Sequence, residues 1–305
     1  MAPTARRRRP GARGSGHLRV SAPRVAVVTV VHGRHDHLRR QQDGLRASLR
    51  TPDVRCVVAI DDDPTDLLDE DVEVIPCDRT SRGLPLARAR NLGAERAIAL
   101  GADLVMFLDV DCIPGATMID RYFAAHACVR RPALLAGPVT YLPPSEHGYP
   151  LAGLPDATNP HPARPNPPAG AVLEETNYDL FWSLSFATTP AVWRRIGGFC
   201  EEYVGYGAED TDFATQAARR DVALYWVGGA HAYHQHHPVS NPPVEHLGDI
   251  VANAATFHRR WRRWPMPGWL DEFERRGLIT RADDQISLTT PADAASALAK
   301  GPHPT

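Results

Sequence analysis

The chain has 305 residues, 43% of them apolar, and a formal net charge of −2. That is enough apolar material for one large α/β domain or two smaller ones, and the charge gives no sign of a nucleic-acid partner. No run approaches the roughly 20 apolar residues of a membrane helix, and five scattered cysteines without a CxxC fit reduced thiols in a cytoplasmic protein, not a disulfide frame or a cysteine zinc site.

Residues 1–22 hold six arginines among Gly and Pro and read as a disordered basic arm. Arg24–Val31 (RVAVVTVV) then predicts a buried strand and His35–Leu49 a helix. Arg55–Ile60 predicts a second strand, ending at Asp61-Asp62-Asp63-Pro64, and Val72–Ile75 a short third. Pro85–Leu100 has helical apolar spacing, and Leu104–Leu108 (LVMFL) is a fourth strand running into Asp109-Val110-Asp111. Strands that are apolar throughout and alternate with helices predict a mostly parallel sheet covered on both faces. In such sheets ligands bind beyond the carboxyl ends of the strands, where both acidic groups stand.

The second half changes character. Residues 142–170 are proline-rich without a period and predict a long, mobile loop. Ser183–Thr188 predicts a strand, Pro190–Ile196 a short helix stopped by Gly197-Gly198, Glu209–Arg220 an amphipathic helix and Ala223–Val227 another strand. Asp249–Trp264 predicts a terminal helix with a basic end, within a helical extension over 241–288, and 289–305 read as a disordered tail.

Three stretches carry candidate chemistry. Asp109 and Asp111 are i and i+2 at a strand end, so they share a face. Two adjacent carboxylates repel unless a cation lies between them, and oxygen ligands suit Mg²⁺ or Mn²⁺, which also take diphosphate oxygens; the plain alternative is a solvated turn. In GYGAED (Gly205–Asp210) two glycines let backbone approach a ligand, and Glu209 and Asp210 open a helix. They are either caps or a general base beside an incoming hydroxyl. HAYHQHHP (231–238) concentrates four histidines. Strand alternation puts His231 and His237 on the Tyr233 face and His234 and His236 on the other. His231 and His234 can therefore converge only if the chain bends after Gly228-Gly229.

In this order the motifs resemble nucleotide-sugar glycosyltransferases of the GT-A fold. The pattern is family 2-like, with a second half resembling β-1,4-galactosyltransferases and polypeptide N-acetylgalactosaminyltransferases. VAVVTVVHGRHDHL, VVAIDDDPTD, LARARNLGAERA, FLDVDCIPG, the run from FWSLSF to the Glu-Asp helix, and AYHQ carry it, over roughly residues 24–240. Cys200 stands where the family writes Asp, and the turn at His32–Arg34 departs from its spelling. The expected domain is 23–240, with a nucleotide half (23–115) and an acceptor half (116–240).

The resemblance implies a metal-dependent inverting enzyme that moves a sugar from a nucleotide-sugar, UDP-linked, to a hydroxyl of a glycan, lipid-linked or small-molecule acceptor. It implies that Asp61 or Asp62 binds the base and that Arg34 and Arg90 line the nucleotide pocket. Asp109 would lie by the ribose and metal, and Asp111 would ligate the metal. His234, with His231 second, would complete that site, and the imidazole favours Mn²⁺ over Mg²⁺. Asp210 would be the general base and Glu209 would help bind a sugar. Trp182 and Tyr206 are candidate stacking surfaces, while His236 and His237 are read as loop residues near the diphosphate or simply solvated. Lack of transmembrane helices argues against a processive synthase that extrudes its product. The rivals are a metal-dependent hydrolase or nucleotidyltransferase, for which no HExxH occurs, and a non-catalytic nucleotide- or glycan-binding relative.

Overall fold

The computed structural model describes residues 22–238 and 240–289; the basic arm and the tail lie outside them, but for Ala22 and Thr289. Each long apolar run is a strand: β1 Val25–Val31, β2 Val54–Ile60, β3 Val72–Cys77 and β4 Leu104–Leu108. Helices α1 His35–Arg46 and α2 Leu86–Ala99 connect them as the 3.6 period predicts. β5 Cys112–Pro114, α3 Met118–Cys128, β6 Ala133–Ala136, β7 Val139–Tyr141 and β8 Val172–Glu175 follow. Then come β9 Ser185–Thr188, α4 Pro190–Ile196, α5 Glu209–Arg219, β10 Ala223–Val227 and β11 Ala232–His234. The chain closes with α6 Leu247–Trp261, α7 Pro267–Arg275 and the hairpin β12 Ile279–Ala282 with β13 Gln285–Leu288.

Eight strands form one sheet in the order β3-β2-β1-β4-β9-β6-β10-β8. Pairs β3–β2, β2–β1, β1–β4 and β6–β10 are parallel; β9 runs against both β4 and β6, and β8 runs against β10 at the edge. The expected mixed α/β architecture with a mostly parallel central sheet is therefore present. α2 lies close on this sheet: a side chain at Gly93 would collide with Val28 and Val58 of β1 and β2. Among the described residues no helix is long and apolar enough to cross a membrane.

Two features position the site. An aromatic cluster joins β4 to α5: Phe107 stacks on Phe186 at 4.5 Å and on Trp193 at 5.1 Å, and Phe199 stacks on Phe213 at 4.3 Å. Each such pair adds about 0.5–1.5 kcal/mol beyond burial and fixes the strand end against the helix start. The second feature is a small sheet, β5-β11-β7, whose register sets His234 opposite both Cys112 and Tyr141.

The proline-rich segment 142–170, expected to be mobile, is tied down although it has no strand or α-helix. Thr158 Oγ1 and Tyr233 Oη lie 2.7 Å apart, Asn159 donates its backbone N–H to Thr140 Oγ1, and Arg164 is sandwiched between Trp182 and Trp226. Gly228 packs directly on the backbone of Pro167 and Pro168. The C-terminal segment, expected to be helical, also contains the β12–β13 hairpin.

Candidate active site

β4 ends at Leu108, Asp109 follows it, and the chain turns at once into β5, held by Cys112 N–H donating to Asp109 O at 2.8 Å. Gln41 of α1 donates to Asp109 O as well, at 2.7 Å. The turn aims Asp111 toward the small sheet, where its backbone carbonyl accepts from Gln235 N–H at 2.7 Å. Asp111 Oδ2 then lies 3.5 Å from His234 Nε2 and 3.4 Å from His237 Nε2. One ligand atom from each of Asp111, His234 and His237 falls within 4.8 Å of the others.

One carboxylate and two imidazoles make a donor set suited to a first-row divalent ion. Burial alone would push Asp111 up, but the His237 hydrogen bond and the charges of His234 and Arg34 outweigh it and hold the carboxyl well below the usual range. Burial pushes His234 down, favouring the neutral ring that ligates metals. Arg34 pairs with the same Oδ2 through Nη1; its side chain is 40% exposed and projects from a left-handed residue at the start of α1.

His231 does not join this group. It shares a side with Tyr233, ring centroids 6.5 Å apart, and its buried Nδ1 has no partner among the described residues. The turn after Val227 does not rotate it toward His234. His237 stands in its place, because the chain leaves β11 after His234 and folds back over Asp111. His236 is exposed, with its N–H donated to Tyr149 Oη.

Asp109 lies outside the three-residue group and meets Arg90 instead. Arg90 is buried and bridges two motifs: Nη2 donates to Asp109 Oδ1 and Nη1 to Glu209 Oε1, each at 3.2 Å. Arg90 was expected to line a nucleotide pocket; here it joins the end of β4 to the start of α5. Burial and the neighbouring Asp111 charge push Asp109 up to about 6, against the pull of Arg90. Glu209 Oε2 is buried without a partner among the described residues. Asp210 accepts from Thr211 N–H at 2.7 Å, yet burial and the Glu209 charge push it up to about 7.

At the end of β2 the three aspartates divide their work. Asp62 accepts from Gly33 N–H at 2.8 Å and meets His35 Nε2 at 2.9 Å, so both its oxygens hold the β1–α1 turn. Asp63 caps Thr65. Asp61, at φ 42°, is exposed and engages Arg79 N–H through Oδ1 alone among the described residues.

Other neighbours carry no motif and escape sequence reading. Tyr141, 44% exposed, lies 4.7 Å from the His234 ring, and His161 continues the contact to Trp182 at 5.1 Å. Tyr206, the other candidate stacking residue, is itself stacked on His246 and Trp269.

Known proteins share parts of this sequence and of this fold. The family described as the N-terminal domain of galactosyltransferase matches residues 172–238, from β8 through the histidines. A validoxylamine A glucosyltransferase of Streptomyces hygroscopicus subsp. limoneus is 27% identical over 62% of this chain and 47% of its own length. One from S. hygroscopicus subsp. jinggangensis is 28% identical over 43% of this chain and 34% of its own. The chain thus spans at most about half of these relatives. Among solved structures, GalNAc-T7 with UDP, GalNAc and Mn²⁺ superposes with a TM-score of 0.51 at 14% identity, over 84% of this chain and 55% of that one. TarS 1-349 of S. aureus gives 0.50 at 13%, over 78% and 73%. The chain thus has the GT-A fold, with a segment similar to the N-terminal domain of galactosyltransferase running from β8 through the histidines.

Proposed function

We propose that the chain is a metal-dependent, inverting glycosyltransferase that moves a sugar from a UDP-linked donor to an acceptor hydroxyl. The observation that carries this reading is the convergence of Asp111, His234 and His237, joined through the D-x-D turn and Arg90 to Glu209 and Asp210.

Asp111, His234 and His237 would hold the ion, Mn²⁺ rather than Mg²⁺ because two ligands are imidazoles. Asp109 stands beside them. Charge gathering on the leaving diphosphate would be offset there by the bound cation. Arg34, long and exposed, turns from Asp111 to the diphosphate. Asp61 reads the base, because Asp62 is consumed by the turn. Asp210 takes the proton of the acceptor hydroxyl as its oxygen attacks the anomeric carbon. The bond from that carbon to the phosphate oxygen breaks with its electron pair leaving on the diphosphate, and one displacement inverts the centre. The relatives named validoxylamine A glucosyltransferase support a glucosyl donor and validoxylamine A as the first pair to assay.

The test is nucleotide release from UDP-, GDP- and dTDP-sugars with Mn²⁺, with and without acceptors. Release that needs a UDP-sugar, Mn²⁺ and an acceptor is expected. Equal release without any acceptor would replace transfer by hydrolysis, and UDP binding with no turnover for any donor would leave a binding protein.

A further inference from the structure

The loop that delivers Asp210 is held from outside itself. Gly205, Gly207 and Ala208 all have positive φ (75°, 97° and 71°), and for alanine that conformation is strained. A strained loop persists only when its surroundings fix it. Gly205 N–H donates to Leu84 O at 2.8 Å; most of the remaining support comes from α6.

Asn253 of α6 is fully buried, and its Nδ2 donates to Val204 O at 3.1 Å and to Tyr206 O at 3.2 Å. The amide can point only one way, since the flipped form would set its oxygen against two carbonyls. Asp249, one turn earlier, accepts Tyr206 N–H at 3.2 Å, and its carboxylate fills the space that a side chain at Gly205 would need. The Tyr206 ring stacks on His246 at 4.6 Å and on Trp269 of α7 at 5.9 Å. Past the loop, Asp212 in the first turn of α5 accepts from Arg260 Nε at 2.7 Å and Trp261 Nε1 at 2.6 Å, both on α6. The segment is thus gripped before and after Glu209-Asp210 by the same helix.

We propose that Asp249 and Asn253 are positioning residues for transfer: they fix the Val204–Ala208 backbone so that Asp210 meets the acceptor hydroxyl. The C-terminal segment is then part of the catalytic machinery and not an appendage. This rests on reading Asp210 as the base. Neither residue touches the metal group or the base-reading end of β2, so losing them affects the chemical step and leaves nucleotide binding alone.

The experiment uses the full chain with Asn253→Ala, Asp249→Ala and Asp249→Asn. Thr256→Ala, on the next turn of α6, removes a hydroxyl bonded only within the helix and to Arg259, and serves as a stability control. Asp210→Asn serves as comparator. kcat, donor KM, UDP–Mn²⁺ affinity and Tm are measured for each. Expected are a fall in kcat of about 100-fold for Asn253→Ala and Asp249→Ala, with UDP affinity within about 2-fold of the parent. Asp249→Asn recovers most of kcat, because its amide oxygen still accepts the Tyr206 N–H. Thr256→Ala lowers Tm without lowering kcat. Parent-like kcat in both alanine variants, or an equal kcat loss in Thr256→Ala, overturns the inference. An inert Asp210→Asn beside a fully active Asn253→Ala overturns it alone; an active Asp210→Asn overturns the base assignment and the inference with it.

Discussion

Asp210 is a carboxyl that its surroundings make basic. Burial and the Glu209 charge push it up to about 7, and in the proposed role of base it must be deprotonated to accept a proton. Activity should therefore rise as pH passes through about 7. Glu209→Gln removes one cause of the shift, so its kcat/KM profile should keep the same shape with the acid limb moved to lower pH; an unmoved limb would assign that limb to another group. Asp210→Asn should lose about 10²–10⁴-fold in kcat while still binding UDP with Mn²⁺. Among the histidines, His237→Ala and His234→Ala should each weaken Mn²⁺ binding about 10-fold or more. His231→Ala should leave it alone, and isothermal titration with the metal separates the two outcomes. The acidic motifs and His234 were legible because their chemistry is carried by adjacent residues. His237 was not. It lies beyond the last residue of β11, and strand alternation says nothing once the strand has ended.

Elements were legible in proportion to their length. β1, β2 and β4 are apolar runs of five to seven residues, and their bounds agree with the sequence reading to within a residue. β5, β7 and β11 have three residues each, too few for any period, yet they build the sheet that presents His234. β8 reads VLEE, half charged, and is a strand only because β10 pairs with it. α3 and the β12–β13 hairpin were likewise missed, the former lying between recognised motifs. Helix α2 was found by its pattern, but how closely it packs follows from one residue. Gly93→Val should destabilise the fold by about 1–3 kcal/mol through overpacking on Val28 and Val58, read as a lower urea midpoint at unchanged slope.

Charge placement shapes the molecule as a whole. Asp109 and Asp210 have pKa values raised from 3.8 to about 6 and about 7. At these two carboxyls the folded chain therefore binds more protons than the unfolded chain between about pH 4 and 7, and their contribution to stability falls as pH rises through that window. Asp111 is shifted the other way, so its contribution is lost only as pH falls below the ordinary carboxylate range. A divalent cation bound as proposed would offset the crowded negative charge and should raise Tm more at pH 8 than at pH 5; equal shifts, read by calorimetry at matched ionic strength, would count against this linkage.

The small sheet couples these scales in time as well as in space. Asp111 and His234 stand more than a hundred residues apart in sequence, and the strands that bring them together pair across that whole span. Contacts of such separation form slowly, because a long loop must close before they stabilise anything. In the proposed metal site, an ion therefore cannot act as an early nucleus. In refolding, competence to bind manganese should appear after the bulk of the helical signal, which would make metal uptake a clock for the last step of assembly.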